Sequence, residues 1–249
     1  MTLEPVQLAI IFACLAAGGI LKGATGAGAP ILAVPAVAII FDVKFAVMVM
    51  LMPNLLTNIW QGWSFRRHLL PPRFVLSFVG AGMLGALLGT LILAYFSQKS
   101  LDLVVAGAVV LYVALRLARP DWKISYPVAT RLSLPAGLAA GVLQGAAGLS
   151  APASITFLNA MRLDRQMFIA TISLLFTGMS FFQILSLSYL GIFSVQSALI
   201  SLLAMLPILA FMPVGAALAC RLSRESFDRT ILILLCFVAA KLVYDALMT

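Results

Sequence analysis

The chain carries one glycine-rich motif twice, as GILKGATGAGAP at Gly19–Pro30 and as GVLQGAAGLSAP at Gly141–Pro152. The copies lie 122 residues apart, and each interrupts an apolar run with glycines and a proline at matching positions. Glycine and proline inside apolar sequence predict an interrupted helix. The pair therefore predicts a chain built from two related halves, each opening with a broken helix.

The composition is that of a polytopic α-helical membrane protein. Of 249 residues, 63% are hydrophobic and 10% are charged, and the stretch Gln166–Cys220 has no charged residue at all. Strands of a membrane barrel would be short and would alternate polar with apolar residues, so helices are predicted instead. The net charge is +8. We interpret the basic residues as setting membrane orientation and not as binding nucleic acid, because they gather at helix ends.

Neither a cofactor nor a metal site is predicted. Cys14, Cys220 and Cys236 all lie inside apolar segments, where cysteine usually serves as a small core residue and forms no disulfide framework. The first residues lack the basic region of a secretory signal, so the first apolar segment is expected to stay in the mature protein.

Each half contains five apolar segments. In the first half they are Val6–Leu21, Pro30–Phe41, Phe45–Ser64, Phe74–Phe96 and Leu101–Ala118; in the second half they are Leu132–Leu143, Ala151–Met161, Gln166–Tyr189, Val195–Cys220 and Phe227–Leu247. Asp42 matches Asp164, and Gln61 matches Gln183, at the same offset of 122. We therefore predict a first repeat at residues 1–120 and a second at 121–249 within one membrane domain, as is common in secondary transporters.

The positions of the basic residues favour inverted repeats over parallel ones. Pro30–Phe41 provides roughly 18 Å of helix against a hydrocarbon core of about 30 Å, so it cannot span alone. If it completes one span with the segment before it, the loop charges divide seven against seven. If the two segments instead form a re-entrant hairpin, twelve basic residues share one side and Lys44 and Lys99 lie on the other. Because basic residues concentrate in the cytoplasm, we predict inverted repeats, each a re-entrant hairpin followed by three transmembrane helices, with both termini outside the cytoplasm.

Two glycine loops, Gly23–Pro30 and Gly145–Pro152, are predicted to meet near the membrane midplane and to bind a small anion. Each loop leads into a short helix with proline at its start, and free N–H groups at a helix start favour negative charge. Hydroxyl groups of Thr25, Ser150 and Ser154 are candidate donors. The predicted substrate-binding residues are Lys22, Gly23, Thr25, Gly26, Gly28, Pro30, Asn54, Asn58, Gln144, Gly145, Gly148, Ser150, Pro152, Thr177, Ser180 and Gln183.

Structural explanations compete with several of these assignments. Gly19, Gly23, Gly141 and Gly145 have the four-residue spacing of helix packing. Lys22 either attracts the anion, or it snorkels towards the membrane surface or pairs with a backbone carbonyl. The polar residues of Phe45–Ser64 and Gln166–Tyr189 either line the path or bond between helices.

Acidic residues and histidine are missing from the segment centres. An intramembrane proton relay is therefore not evident, and an enzyme is not predicted. Asp42 and Asp164 fit either a gating or proton-carrying role or simple helix capping.

The paired Gly-x-x-x-Gly-x-x-Gly-x-Gly-x-Pro pattern, with Ser150 replacing one glycine in the second copy, resembles the sulfite exporter TauE/SafE family, also called the toluene sulfonate uptake permease family. The resemblance implies a transporter of sulfur-containing anions such as sulfite, sulfoacetate and related organosulfonates. It also implies a binding core formed by Gly23, Gly26, Gly28, Pro30, Gly145, Gly148, Ser150 and Pro152.

The resulting prediction is a secondary transporter in a bacterial inner membrane that moves its anion by alternating access, with a proton or sodium ion as a possible coupling ion. Partners beyond the anion and the lipid bilayer are not predicted. An anion channel is the nearest alternative, and a membrane-embedded enzyme is a more distant one. The sequence leaves open the exact anion, the direction of transport and the oligomeric state.

Overall fold

All the regular secondary structure in the described part of the chain is helical. A computed structural model describes residues 5–118 and 122–221, together with residues 236, 240, 241 and 244. The helices are α1 (Pro5–Thr25), α2 (Ala29–Ile40), α3 (Val43–Ser64), α4 (Pro72–Tyr95), α5 (Gln98–Ala118), α6 (Tyr126–Ala147), α7 (Ser154–Ala160), α8 (Arg165–Tyr189) and α9 (Val195–Arg221), with a short 3-10 turn at Arg66–His68. The predicted last segment, Phe227–Leu247, falls almost entirely outside the described residues, as does the side chain of Cys220.

Five of these helices, α3, α4, α5, α8 and α9, are long and apolar enough to cross a membrane. Many of their large apolar side chains face outward, including Leu76, which is 74% exposed, and Leu203, which is 64% exposed. Side chains of this kind suit a lipid environment. The prediction of an all-helical polytopic membrane protein is confirmed.

Each half opens with a helix hairpin. A Cβ placed on Gly18 of α1 would lie 3.0 Å from the Ala29 carbonyl oxygen at the start of α2, so the two helices double back on each other. In the second half the Ile124 N–H donates to the Ala160 carbonyl at 2.9 Å, which places the end of α7 beside the residues that precede α6.

Glycines let two pairs of parallel helices come into backbone contact. A Cβ added to Gly141 of α6 would lie 2.1 Å from the Gly82 carbonyl oxygen of α4, and one added to Gly145 would lie 2.4 Å from that of Ala86. The same arrangement joins α1 to α9, where Gly19 meets Ile208 and Gly23 meets Met212. Since α1 is the equivalent of α6, and α4 of α9, each half packs its first helix against the fourth helix of the other half.

The central helices of the two halves, α3 and α8, are antiparallel neighbours. Asn54 of α3 bonds to Ser180 of α8, whereas Gly62, later in α3, lies against Ser173, earlier in α8. Lys44 Nζ, at the start of α3, donates to the Ala94 carbonyl at 3.1 Å, so α4 returns antiparallel to α3.

The helix boundaries differ from the predicted segments around the glycine motifs. Gly23 and Gly145, which we expected in the loops, lie inside α1 and α6, because the close helix contacts require glycine there without ending the helix. The actual breaks are Gly26–Gly28 and Gly148–Ala153. Helix α6 also begins at Tyr126, six residues before the predicted Leu132, because Pro127 suits the first turn of a helix and Ala129 in the next turn is buried.

Candidate functional site

A buried polar chain connects the two halves at their centre. The Lys22 ammonium of α1 donates to Asn58 Oδ1 at 3.0 Å, and Asn58 Nδ2 donates to Asn54 Oδ1 at 2.9 Å and to the Asn54 carbonyl at 2.6 Å. Asn54 Nδ2 then donates to Ser180 Oγ of α8 at 2.9 Å. All four residues are at most 3% exposed. Every bond in this chain runs in the same direction, from the cation towards the hydroxyl.

The end of α1 helps to stabilise the buried ammonium of Lys22. This residue lies in the last turn of that helix, immediately before the break, where carbonyl groups give the helix a partial negative charge. This charge offsets part of the cost of burying an ammonium, and Asn58 provides a hydrogen-bond acceptor. Lys22 is 1% exposed, so it is held in the interior and does not extend to a helix-end surface.

Helix α3 is opened locally next to this chain. Pro53 has no N–H, so it cannot bond to the Val49 carbonyl as an ordinary helix residue would. Ser201 of α9 fills the gap: its hydroxyl donates to the Val49 carbonyl at 2.9 Å and accepts from the Met52 N–H at 2.9 Å. Ser201 was not predicted from the sequence, although Pro53 in an apolar helix signals that such a partner is needed.

The second half makes a different contact at the matching place. Gln183 Nε2 of α8 donates to the carbonyls of Gln144 at 3.3 Å and Gly145 at 3.1 Å, near the end of α6. Gln144 occupies the position that matches Lys22. The cation of the first half is thus replaced by a neutral amide in the second.

Both breaks are closely packed, and their glycines adopt the left-handed backbone conformation. Gly26, Gly28 and Gly148 have φ values of 78°, 102° and 65°. Gly26 lies against the Ile169 side chain of α8, and Gly148 lies against Val34 and Val47. Each break therefore packs on the long central helix of the opposite half.

The remaining predicted residues surround the breaks in different ways. Pro30 lies in the first turn of α2, as predicted, whereas Pro152 lies in a turn and α7 starts two residues later at Ser154. Thr25 Oγ1 donates to the Leu21 carbonyl at 2.8 Å, and Ser154 Oγ donates to the Ser150 carbonyl at 2.9 Å.

The structure thus brings Lys22, Asn54, Asn58 and Ser180 into one bonded chain and joins Gln183 to Gln144 and Gly145. Thr177 lies half-buried on α8 outside this chain. Gly23 and Gly145 occupy helix contacts, so packing explains both, and their role as substrate ligands stays a prediction.

Four buried oxygens near these helices have no hydrogen-bond partner among the described residues: Gln61 Oε1, Thr171 Oγ1, Ser173 Oγ and Gln183 Oε1. Gln61 and Gln183 are equivalents in the two halves. Buried polar atoms without partners are uncommon in folded proteins. The interior between α3 and α8 therefore has unused hydrogen-bonding capacity.

The two aspartates that precede α3 and α8 are helix caps. Asp42 accepts from the Phe45 N–H at 2.6 Å, and Asp164 accepts from the Met167 N–H at 2.9 Å. Of the two roles considered from the sequence, capping is the one that the contacts support.

A profile of the sulfite exporter TauE/SafE family matches residues 10–242, which is nearly the whole chain. The chain belongs to the sulfite exporter TauE/SafE family. Neither curated proteins nor solved structures give a match. Membership in the TauE/SafE family, together with the five apolar helices, makes this a multi-pass membrane protein of a transporter family. The resemblance seen in the two glycine motifs is confirmed.

Proposed function

We propose that this protein is a secondary transporter that moves a small sulfur-containing anion, such as sulfite, sulfoacetate or a related organosulfonate, across the inner membrane of a bacterium. The observation that carries the proposal is the buried Lys22 at the head of a polar chain that joins the two halves. Charged residues within membrane segments are costly and usually mark an ion or substrate path. The TauE/SafE match supports the choice of a sulfur-containing anion.

We assign the two halves, residues 1–120 and 121–249, to inverted repeats. The antiparallel contact between the equivalent helices α3 and α8 supports this arrangement. So does the reciprocal packing of α1 on α9 and of α6 on α4. In transporters built this way, the substrate binds near the midplane at the interface of the repeats, and one repeat rocks against the other.

The anion would bind where Lys22 meets the first break. An ammonium has three donors, and Asn58 takes one of them, so two are available to oxyanion oxygens. The start of α2 follows the break at Gly28, and the dipole of that helix adds partial positive charge there. The first break packs closely against α8 and the second against α3, so movement of those helices would open and close the site.

Counterflow in proteoliposomes tests transport against the channel alternative. A transporter takes up labelled sulfite or sulfoacetate with saturation, and unlabelled anion inside the vesicles accelerates that uptake. Flux that rises linearly with concentration and ignores the internal anion would identify a channel. The absence of any anion flux would refute the proposal. A dependence of uptake on a proton or sodium gradient would identify the coupling ion.

A matched pair of lysine variants tests the site. Lys22→Gln places in the first half the residue that the second half has at position 144, and it should abolish uptake. Lys99→Gln removes an equal charge from an exposed position and should leave uptake unchanged. If the two variants took up the anion equally well, Lys22 would not be part of the substrate site.

A further inference from the structure

The buried polar chain contains one formal charge. Lys22 is its cation, and the residues that follow it, Asn58, Asn54 and Ser180, are neutral. The glutamine contact of the second half adds neutral amide and carbonyl groups. Any negative charge that balances Lys22 in this interior must therefore come from elsewhere.

The described carboxylates do not supply that charge, because each has a hydrogen-bond partner near the start of a helix. Asp42 and Asp164 accept from backbone N–H groups that they cap, and Asp102 Oδ1 accepts from Gln98 at 2.7 Å on the exposed start of α5. Within residues 5–118 and 122–221, the hydrogen-bond partner of the Lys22 ammonium is the neutral Asn58. Among the described residues the ammonium therefore has no anionic partner, and a bound anion can neutralise it.

We infer that the site accepts an anion that carries a single negative charge, such as an alkylsulfonate or hydrogen sulfite, and discriminates against dianions of the same size. This inference rests on the proposed function and adds the charge class of the substrate. A monoanion forms a neutral pair with Lys22. A dianion leaves one negative charge uncompensated in a water-poor interior, where unpaired charge is expensive.

The hydrogen-bond donors of Lys22 also suit a sulfonate head group. Its three oxygens are acceptors, and the two remaining donors of the Lys22 ammonium can bind two of them. Charge-assisted bonds of this kind are the stronger class of hydrogen bond. The neutral donors nearby add hydrogen bonds without adding positive charge, so they do not neutralise the second charge of a dianion.

The test is competition between two sulfonates that share a two-carbon skeleton. Isethionate carries one charge, and sulfoacetate carries a second charge on its carboxylate. Each competes with labelled sulfite for uptake by the wild-type protein in proteoliposomes, and thermal unfolding with either compound gives an independent measure of binding. We expect isethionate to compete at concentrations at least about tenfold lower than sulfoacetate, because an uncompensated buried charge opposes binding of the dianion.

Equal competition, or stronger competition by sulfoacetate, would overturn the inference and leave anion transport intact. If neither compound nor sulfite competed or stabilised the protein, the proposed function itself would fail. Lys22→Arg should keep the preference for the monoanion, and Lys22→Gln should lose at least about tenfold in isethionate binding. An unchanged preference in folded Lys22→Gln would show that the lysine is not its source. The wild-type comparison decides the question even if that variant does not fold.

Discussion

Substitution of Gly85 by alanine tests the packing of α4 on α6. The added Cβ would lie 2.3 Å from the Leu138 carbonyl oxygen, 2.9 Å from the Val142 nitrogen and 3.0 Å from the Gly141 Cα. Ordinary contact begins at 3.4 Å, so the helices would have to separate by about 1 Å at this point. All three atoms belong to the backbone, so no side chain can rotate away. We expect Gly85→Ala to lower the free energy of unfolding by about 1–3 kcal/mol, the usual cost of overpacking.

Gly80→Ala is the matched control on the same helix. A Cβ at Gly80 meets no atom within 4 Å, and alanine is the better helix former by about 1 kcal/mol. Thermal unfolding of both variants in detergent should therefore show Gly85→Ala below the wild type and Gly80→Ala at or above it. If the two variants were equally stable, the backbone contact between α4 and α6 would not be what requires glycine at position 85.

Three further changes follow from the contacts. Asp42→Ala removes the cap of α3 and should lower the free energy of unfolding by about 1 kcal/mol, whereas Asp42→Asn should retain most of the stability. Equal stability of the two variants would count against capping. Gly26→Ala forces alanine to φ 78° and brings its Cβ to 2.6 Å from Ile169 Cγ1, so Ile169→Ala in the same chain should relieve the clash but not the backbone strain. Full recovery of the melting temperature would contradict that strain. Asn58→Leu leaves the Lys22 ammonium without its partner and should lower the free energy of unfolding by about 1–3 kcal/mol. Combining it with Lys22→Met should restore stability without restoring anion uptake. A double variant that still transports the anion would refute the site.

The sequence predicts the helices well where local signals agree. The apolar segment Phe45–Ser64 corresponds to α3, and Gln166–Tyr189 corresponds to α8. The aspartate before each helix is a strong start signal because its carboxylate can accept from an exposed N–H group of the first turn. Composition alone was sufficient to predict a polytopic helical membrane protein, since soluble chains seldom have so little charge.

The sequence predicts the site less well, because a glycine has the same appearance at a helix break and at a helix contact. Gly23 and Gly26 belong to one motif, yet Gly23 continues α1 and contacts α9, while Gly26 ends the helix with positive φ. Only the position of the neighbouring helix separates these roles. Ser201 was missed for a similar reason, since its function depends on Pro53, which is distant in the chain.

The comparison of the two halves separates packing from specificity. Gly141 and Gly145 contact α4 in the same way that Gly19 and Gly23 contact α9, so the repetition of these glycines is sufficiently explained by a packing requirement that both halves share. The polar chain is not repeated: the residues that match Lys22 and Asn54 are Gln144 and Phe176. A fold requirement acts equally on both halves, whereas a single bound anion needs only one compensating cation. The residues that differ between otherwise equivalent positions are therefore the ones on which substrate choice should depend, and Lys22 is the charged residue among them in the described interior.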